Sequence, residues 1–453
     1  MPPIHEYFLF TLQKLYFSLN LFDFSLKIKG FPIDEAKRFL KTIQNKKEVD
    51  FTTYTEAKKL DIVTYHLKHN TFYNAFAKNI NAQDWNSIPV MTKHDLQQPL
   101  QQRLSDGFTT KNVYINKTSG SSGDPFIFAK DKFCHALTWA CFIDKYTWYN
   151  LDFNTSKQAR FYGIPLNKKH YYKERFKDVL SKRFRFSVFD LSDAQLEKNL
   201  KKFKSTRFDY INGYTNSIVQ FAKYLERKNI VLKTICPSLK ACIVTSEMLF
   251  KKNETLLENQ LGIPIINEYG AAELGLIAFQ NKKKEWLINN EDLFIEILDE
   301  KNNPLPYGEE GRVVITSLYN KAHPFIRYDL GDLGTLSKMS TPQKPILEKL
   351  IGRTNDIVVL PSGKKAAGLT FYYVTKTIIE DDGNVKEFII EQLKLDTFKI
   401  SYVSHKFLTE KNLNAIKGAI SKYLEPNLTV LFERKQILER SKSGKLKQFK
   451  SYL

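Results

Sequence analysis

Two stretches of this chain carry residue types suited to handling phosphate and moving charge. The first is Thr118-Ser119-Gly120-Ser121-Ser122-Gly123-Asp124-Pro125, with two glycines among four hydroxyls. Glycines let backbone amides turn toward an anion, and the hydroxyls add donors on the same side, which makes a nest for polyphosphate oxygens. Val113-Tyr114-Ile115 reads as a strand leading in and Phe126-Ile127-Phe128 as a strand leading out. A Walker A loop would end in Gly-Lys-Ser/Thr and open a helix, and this one does not. Taken alone, the octapeptide reads equally well as a Ser/Gly-rich hairpin turn. The second stretch is Ser441-Lys442-Ser443-Gly444-Lys445, within the basic run Arg434 to Lys450. A lysine flanked by glycine can be delivered as a point charge to a reacting carboxylate or phosphate. By itself it reads as a solvated basic tail.

Three further segments have compositions that structure alone does not demand. In Asn267-Glu268-Tyr269-Gly270-Ala271-Ala272-Glu273 an aromatic precedes small residues and a carboxylate. Such a segment can stack a purine and let Glu273 hold a metal ion, and it reads equally as a helix N-terminus. In Pro324-Phe325-Ile326-Arg327-Tyr328-Asp329-Leu330-Gly331-Asp332 the last carboxylate can accept from both hydroxyls of a ribose. The plain alternative is a surface turn with an Arg–Asp pair, worth little. Gly352-Arg353-Thr354-Asn355-Asp356 stands where the body gives way to a last unit, a place that suits a hinge.

The elements that must position these residues follow from the hydrophobic pattern. The first hundred residues read as mainly helical. Phe208–Gly213, Leu239–Val244 and Pro264–Tyr269 read as strands, with helices at Ser217–Leu225 and Phe250–Leu261 between them. That rhythm implies parallel βαβ units. Beyond Phe279, Leu293–Leu298 and Gly311–Thr316 flank a turn-rich Asp299-Glu300-Lys301-Asn302-Asn303-Pro304, which implies a small antiparallel subdomain. Near the end, Phe388–Ile390 and Phe398–Val403 read as strands. Leu408, Leu413, Ile416, Ile420 and Leu424 mark one face of a helix that Thr409 caps, and Leu428–Phe432 reads as the closing strand.

The chain's 453 residues suffice for two or three domains, and 34 Phe and 23 Tyr supply a large core without disulfides. Cys134, Cys141, Cys236 and Cys242 form no CxxC pair and are expected to be buried free thiols of a reducing, cytoplasmic compartment. Lys and Arg outnumber Asp and Glu by 69 to 49, a net charge of +20 that favours anionic partners. No zinc-finger or RNA-binding signature accompanies the charge, so a specific nucleic-acid partner is not expected. The apolar start, Tyr7-Phe8-Leu9-Phe10-Thr11-Leu12, is interrupted by Gln13, Lys14, Asn20 and Asp23. It reads as an amphipathic helix packed on the body, with peripheral membrane contact as the minor alternative.

Taken in order, TSGSSGDP, EYGAAE, RYDLGD, GRTND and SKSGK resemble the motifs of the adenylate-forming superfamily of acyl- and aryl-CoA synthetases, from about Val113 to the end. The finer pattern is similar to the phenylacetate–CoA ligase branch and its CapK-type capsule-biosynthesis members. Asp84-Trp85-Asn86-Ser87-Ile88-Pro89-Val90-Met91-Thr92-Lys93, Ile211-Asn212-Gly213-Tyr214 and Pro324–Tyr328 carry that likeness. The resemblance implies an α/β fold: a large N-terminal domain (1–354, with 1–110 a mainly helical lead-in) and a small mobile α+β lid (355–453). The large domain would hold parallel βαβ sheets and a small antiparallel β subdomain.

It also implies residue roles. Thr118, Ser119, Gly120, Ser121, Ser122 and Gly123 would wrap the phosphates of ATP. Tyr269, with Gly270 and Ala271, would hold the adenine, Glu273 would coordinate Mg²⁺, Asp332 would bind the ribose, and Arg353 would stand near the ribose or phosphate. Lys445 would bridge carboxylate and α-phosphate, and Tyr214, Thr245, Ser246 and Ala271 would line the acid's pocket. Coenzyme A is the expected cosubstrate, a carrier protein or an amine the alternative acceptor, and a non-catalytic nucleotide-binding scaffold the reading from another class. Three departures stand out: Asp124 in the phosphate loop, Asn355 where a hinge Asp is common, and a looser Pro361–Gly368 segment, which bears on the acceptor.

Overall fold

The computed structural model describes residues 21–117, 126–163, 172, 174–175, 177–179, 181–353, 357–363, 365–367, 385–404, 406–440, 446 and 449–453. The phosphate loop, the hinge residues 354–356 and Lys445 lie outside these residues, as does the apolar N-terminal stretch.

The body is built on a seven-stranded sheet in the order β4-β3-β5-β6-β7-β8-β9. Its first five members are parallel: β3 (Gln158–Phe161), β4 (Arg183–Phe186), β5 (Tyr210–Tyr214), β6 (Ala241–Thr245) and β7 (Ile265–Ala271). β8 (Gly275–Gln280) adds antiparallel beside β7, and β9 (Trp286–Ile288) antiparallel beside β8. The βαβ rhythm read from the sequence is therefore observed. Strands buried on both faces need near-continuous apolar runs, and Ile243, Val244, Ile265 and Ile266 supply them. On one face, α8 (Thr215–Arg227) presents Ile218, Phe221, Ala222 and Leu225, spaced three and four apart so that they form a single stripe. The opposite face is covered by α6 (Lys132–Thr147), whose Tyr146 packs with Tyr210, Ile243, Ile266 and Phe279. Cys134 and Cys141 lie on this helix, and all four cysteines are buried and free, as expected.

The subdomain after Phe279 is an antiparallel sheet, β10-β11-β12-β13, made of Leu293–Leu298, Glu310–Ser317, Tyr328–Leu336 and Leu347–Arg353. The helical lead-in is not a separate layer. Ile62 and Val63 of α3 (Glu48–His69), together with Ile88 and Met91, share one core with Ile295, Val313, Ile315 and Tyr328.

In the C-terminal unit, β16 (Val385–Lys394) and β17 (Thr397–Ser404) pair antiparallel, and β18 (Thr429–Arg434) adds beside β17. Helix α11 (Glu410–Tyr423) begins in a capping box of Thr409 and Asn412. The expected closing strand is not the last one. β19 (Phe449–Ser451) follows the basic run and pairs parallel with β16, so that run leads back into the sheet.

The Arg–Asp surface turn weighed for Pro324–Asp332 does not form. Arg327 is fully buried at a φ of +44°. Its guanidinium donates to the Ile88 carbonyl at 2.7 Å and the Asn302 carbonyl at 3.1 Å, and sits 3.4 Å from Glu296. Asp329 instead pairs with Arg312 at 2.7 Å. Removing one partner of a buried ion pair strands the other charge. Arg327→Ala is therefore expected to destabilise by about 3–5 kcal/mol, read as a fall in the urea midpoint; an unchanged midpoint would show that Glu296 needs no cation.

Candidate active site

Strand β7 carries the EYGAAE segment, which is extended as far as Ala271 and then turns into β8, so the helix-N-terminus alternative is excluded. Alternation along the strand sends Tyr269 and Glu268 to opposite faces of the sheet. Gly270 sits at a register shift where an added Cβ would lie 2.7 Å from the Gly275 carbonyl oxygen, so no larger residue fits without moving backbone.

Two tyrosine–carboxylate hydrogen bonds tie this segment to β12. The Tyr269 hydroxyl donates to Asp332 Oδ2 at 2.6 Å. In the reverse sense, Tyr328 at the start of β12 donates to Glu273 Oε1 at 3.1 Å. Tyr269, Tyr328, Glu273 and Asp332 are all buried. Gly331, at a φ of +77°, supplies the left-handed step just before Asp332. Asp332 stands opposite Arg353 in the β12–β13 register, so these two positions are neighbours across the sheet.

The site also suits the groups that the sequence implies. Among the described residues no cluster of three or more His, Cys, Asp or Glu side chains forms a metal cage. One buried carboxylate such as Glu273 fits Mg²⁺, which is commonly held by one or two carboxylates plus substrate phosphates. The flanks of the phosphate loop are β1 (Tyr114–Lys117) and β2 (Ile127–Lys130), paired antiparallel from Tyr114↔Lys130 to Lys117↔Ile127. Strand–loop–strand is thus the observed setting of Thr118–Pro125, as read from the sequence.

The expected acid pocket is partly assembled. In register across the sheet, Tyr214 is beside Thr245, and Thr245 is beside Glu268. Tyr162, just beyond β3, packs against Tyr214 with ring centroids 4.6 Å apart. Tyr146 of α6 donates to Glu268 Oε2 at 2.9 Å. Burial pushes the Glu268 carboxyl above its ordinary range, against the opposing pull of hydrogen bonds from Tyr146 and Thr245 and of the Arg160 charge. The Arg160 guanidinium lies 4.2 Å from the Tyr162 ring centroid, and its buried Nε has no partner among the described residues. A buried donor left so costs about 1–3 kcal/mol.

The other two expected pocket residues stand apart from this row. Ser246 is exposed past the end of β6, at a φ of +70°. Ala271 packs with the cluster that holds Tyr269. Glu268, Tyr328, Arg160 and Tyr146 were not singled out from the sequence. The available signal was a carboxylate, Glu268, inside a strand that begins with the buried pair Ile265 and Ile266.

No known family's profile matches the chain. It is 23% identical over 331 residues to Protein CapK of Staphylococcus aureus, covering 70% of this chain and 68% of that protein. To phenylacetate-coenzyme A ligase of Aromatoleum evansii it is 27% identical over 179 residues, 38% of this chain and 40% of that enzyme. Among solved structures, 2-hydroxyisobutyryl-CoA ligase in its postadenylation state superposes with a TM-score of 0.67 at 13% identity, over 89% of this chain and 90% of that one. The amide bond synthetase McbA from Marinactinospora thermotolerans gives 0.51 at 14%, over 74% and 69%. The fold is that of the adenylate-forming ligases.

The Tyr269–Asp332 bond is open to a double-mutant cycle. Tyr269→Phe and Asp332→Asn, alone and together, are expected to show a coupling of about 1.5–3 kcal/mol in denaturation, the range for a hydrogen bond to a charged group. Strict additivity would mean that the two side chains do not depend on each other.

Proposed function

We propose that this chain, an adenylate-forming ligase in fold and in sequence relatives, activates a carboxylic acid with ATP and passes the acyl group to the thiol of coenzyme A or a carrier. In the first step the acid's carboxylate attacks the α-phosphorus, an acyl-adenylate forms and pyrophosphate leaves. In the second the thiol sulfur attacks the acyl carbon, and AMP leaves. The observation that carries this reading is the pair of tyrosine–carboxylate bonds. They place the candidate adenine-binding Tyr269, ribose-binding Asp332 and metal-binding Glu273 together, although the residues lie in segments 63 and 55 positions apart.

In this reading Asp332 accepts from the ribose hydroxyls, with Tyr269 holding the carboxylate in place. Glu273 would hold Mg²⁺, which would supply positive charge beside the phosphates. Thr118 to Gly123 cradle the phosphates on a hairpin whose two strands fix the ends of the loop. Residues 355–453 act as the lid that brings Lys445 to the reacting oxygens. Leu446, the next residue, is buried with Ile389 and Leu438 of that unit. A cation placed there stabilises the charge of the transition state.

A second reading keeps the first step and gives the acyl group to an amine, forming an amide for a surface polysaccharide. It is favoured by CapK among the relatives and by an amide bond synthetase on the same fold. Consumption of coenzyme A as against appearance of an amide separates the two acceptors.

ATP–pyrophosphate exchange with a panel of aromatic and aliphatic acids tests the first step; folded protein that exchanges with none of them removes the proposal. Lys445→Ala is expected to lower adenylate formation by about 100-fold or more while leaving turnover of a supplied adenylate nearly intact. Equal loss in both steps would deny Lys445 its role in the first.

A further inference from the structure

The residues in line with the expected acid pocket are polar where a hydrocarbon acid would call for apolar ones. Tyr162 stands just beyond β3, Tyr214 and Thr245 end β5 and β6, and Glu268 is at the last pairing of β7 with β6. Arg160 lies two residues before Tyr162, on the same face of β3. Tyr146 descends from α6 onto Glu268 and closes the far side. Tyr146, Tyr214 and Thr245 are buried, while Arg160, Tyr162 and Glu268 keep partial exposure, so the charged pair faces the open side of the row.

Each charged member has hydrogen-bonding capacity to spare. A carboxylate offers about four acceptor positions, and Glu268 has two side-chain donors assigned to it, from Tyr146 and Thr245. Arg160 Nε is a buried donor with no partner among the described residues. Building both into the mouth of a pocket for a plain phenyl or alkyl acid would waste their desolvation, because such a ligand returns no hydrogen bond to either.

Resting on the ligase reading above, we infer that the acid this chain activates carries a hydroxyl on its acyl part, which donates to Glu268 and accepts from Arg160. A hydroxyl is the simplest group able to do both. An ammonium would answer Glu268 and be repelled by Arg160, and a second carboxylate would answer Arg160 and be repelled by Glu268. The raised titration of Glu268 agrees with a carboxyl that is short of solvent and waiting for a donor. The Tyr162 and Tyr214 rings would then flank the carbon skeleton, with further hydroxyls for its polar edge.

The test is ATP–pyrophosphate exchange with sets of acids that share one skeleton: phenylacetate against its 2-, 3- and 4-hydroxy forms, and butyrate against its 2-, 3- and 4-hydroxy forms. One hydroxylated member is expected to exceed its parent in kcat/KM by about 100-fold or more, since sites built to bond a hydroxyl reject the analogue lacking it. In Glu268→Leu the preference should collapse to within about threefold, and Glu268→Gln, which keeps the size and one acceptor, should retain part of it. Melting temperatures of the variants separate lost folding from lost selectivity. Exchange in which the unsubstituted acid leads in both sets overturns this inference and leaves the ligase reading standing. A preference that survives Glu268→Leu undiminished overturns it as well. Exchange with no acid at all removes the ligase reading, and this inference with it.

Discussion

Two buried carboxylates, each held by a tyrosine from the opposite segment, set the geometry on which the rest of the site depends. Asp332 and Glu273 would be costly to bury without donors. A lysine or arginine in either place would satisfy the carboxylate and also cancel its charge. A tyrosine hydroxyl satisfies one lone pair without cancelling the charge. Because the bonds run in opposite senses, Tyr269 to Asp332 and Tyr328 to Glu273, neither segment can shift along the other without losing one of them. The buried Arg327 stands directly before Tyr328. Through the Ile88 and Asn302 carbonyls and Glu296, it fixes where β12 begins. The N-terminal helical part thereby becomes a support of the site, since Met91 and Arg327 also bond through their backbones.

Alternation gives one strand two different faces. In β7 the side chains of Tyr269 and Glu268 leave the sheet on opposite faces, so the face with the tyrosine and the face with the carboxylate differ by a single residue. Moving β7 by one residue in its pairing would exchange the two sides outright. The register is secured by Ile265 and Ile266, each buried in a different core cluster. Fixing the position of Tyr269 therefore also fixes that of Glu268.

Much of this was legible in the sequence wherever the signal is local. The strand–loop–strand setting of the phosphate loop, the parallel βαβ units, the antiparallel subdomain and the Thr409 cap all follow from periodicity and turn chemistry within a few residues. What was misread depends on partners far along the chain. Nothing around Arg327 announces burial, because Ile88 lies 239 positions away. The basic run looked like a tail because the strand that ends it pairs with β16, with Ile390 opposite Phe449. Ala271, expected both beside the adenine and in the acid pocket, packs against the cluster that holds Tyr269.

The same long-range pairing bears on how the C-terminal unit can do its work. Leu438 and Leu446 lie on either side of the SKSGK segment, and both are buried against Ile389 on β16. The body in turn reaches into this unit, since Phe250, directly before the helix Lys251–Leu261, is part of the core formed by Phe388, Ile400, Ile416 and Phe449. Phe250 follows β6 by five residues, and β6 contributes Thr245 to the row beside Glu268. The segment that follows Thr245 is therefore also the one that meets the C-terminal unit.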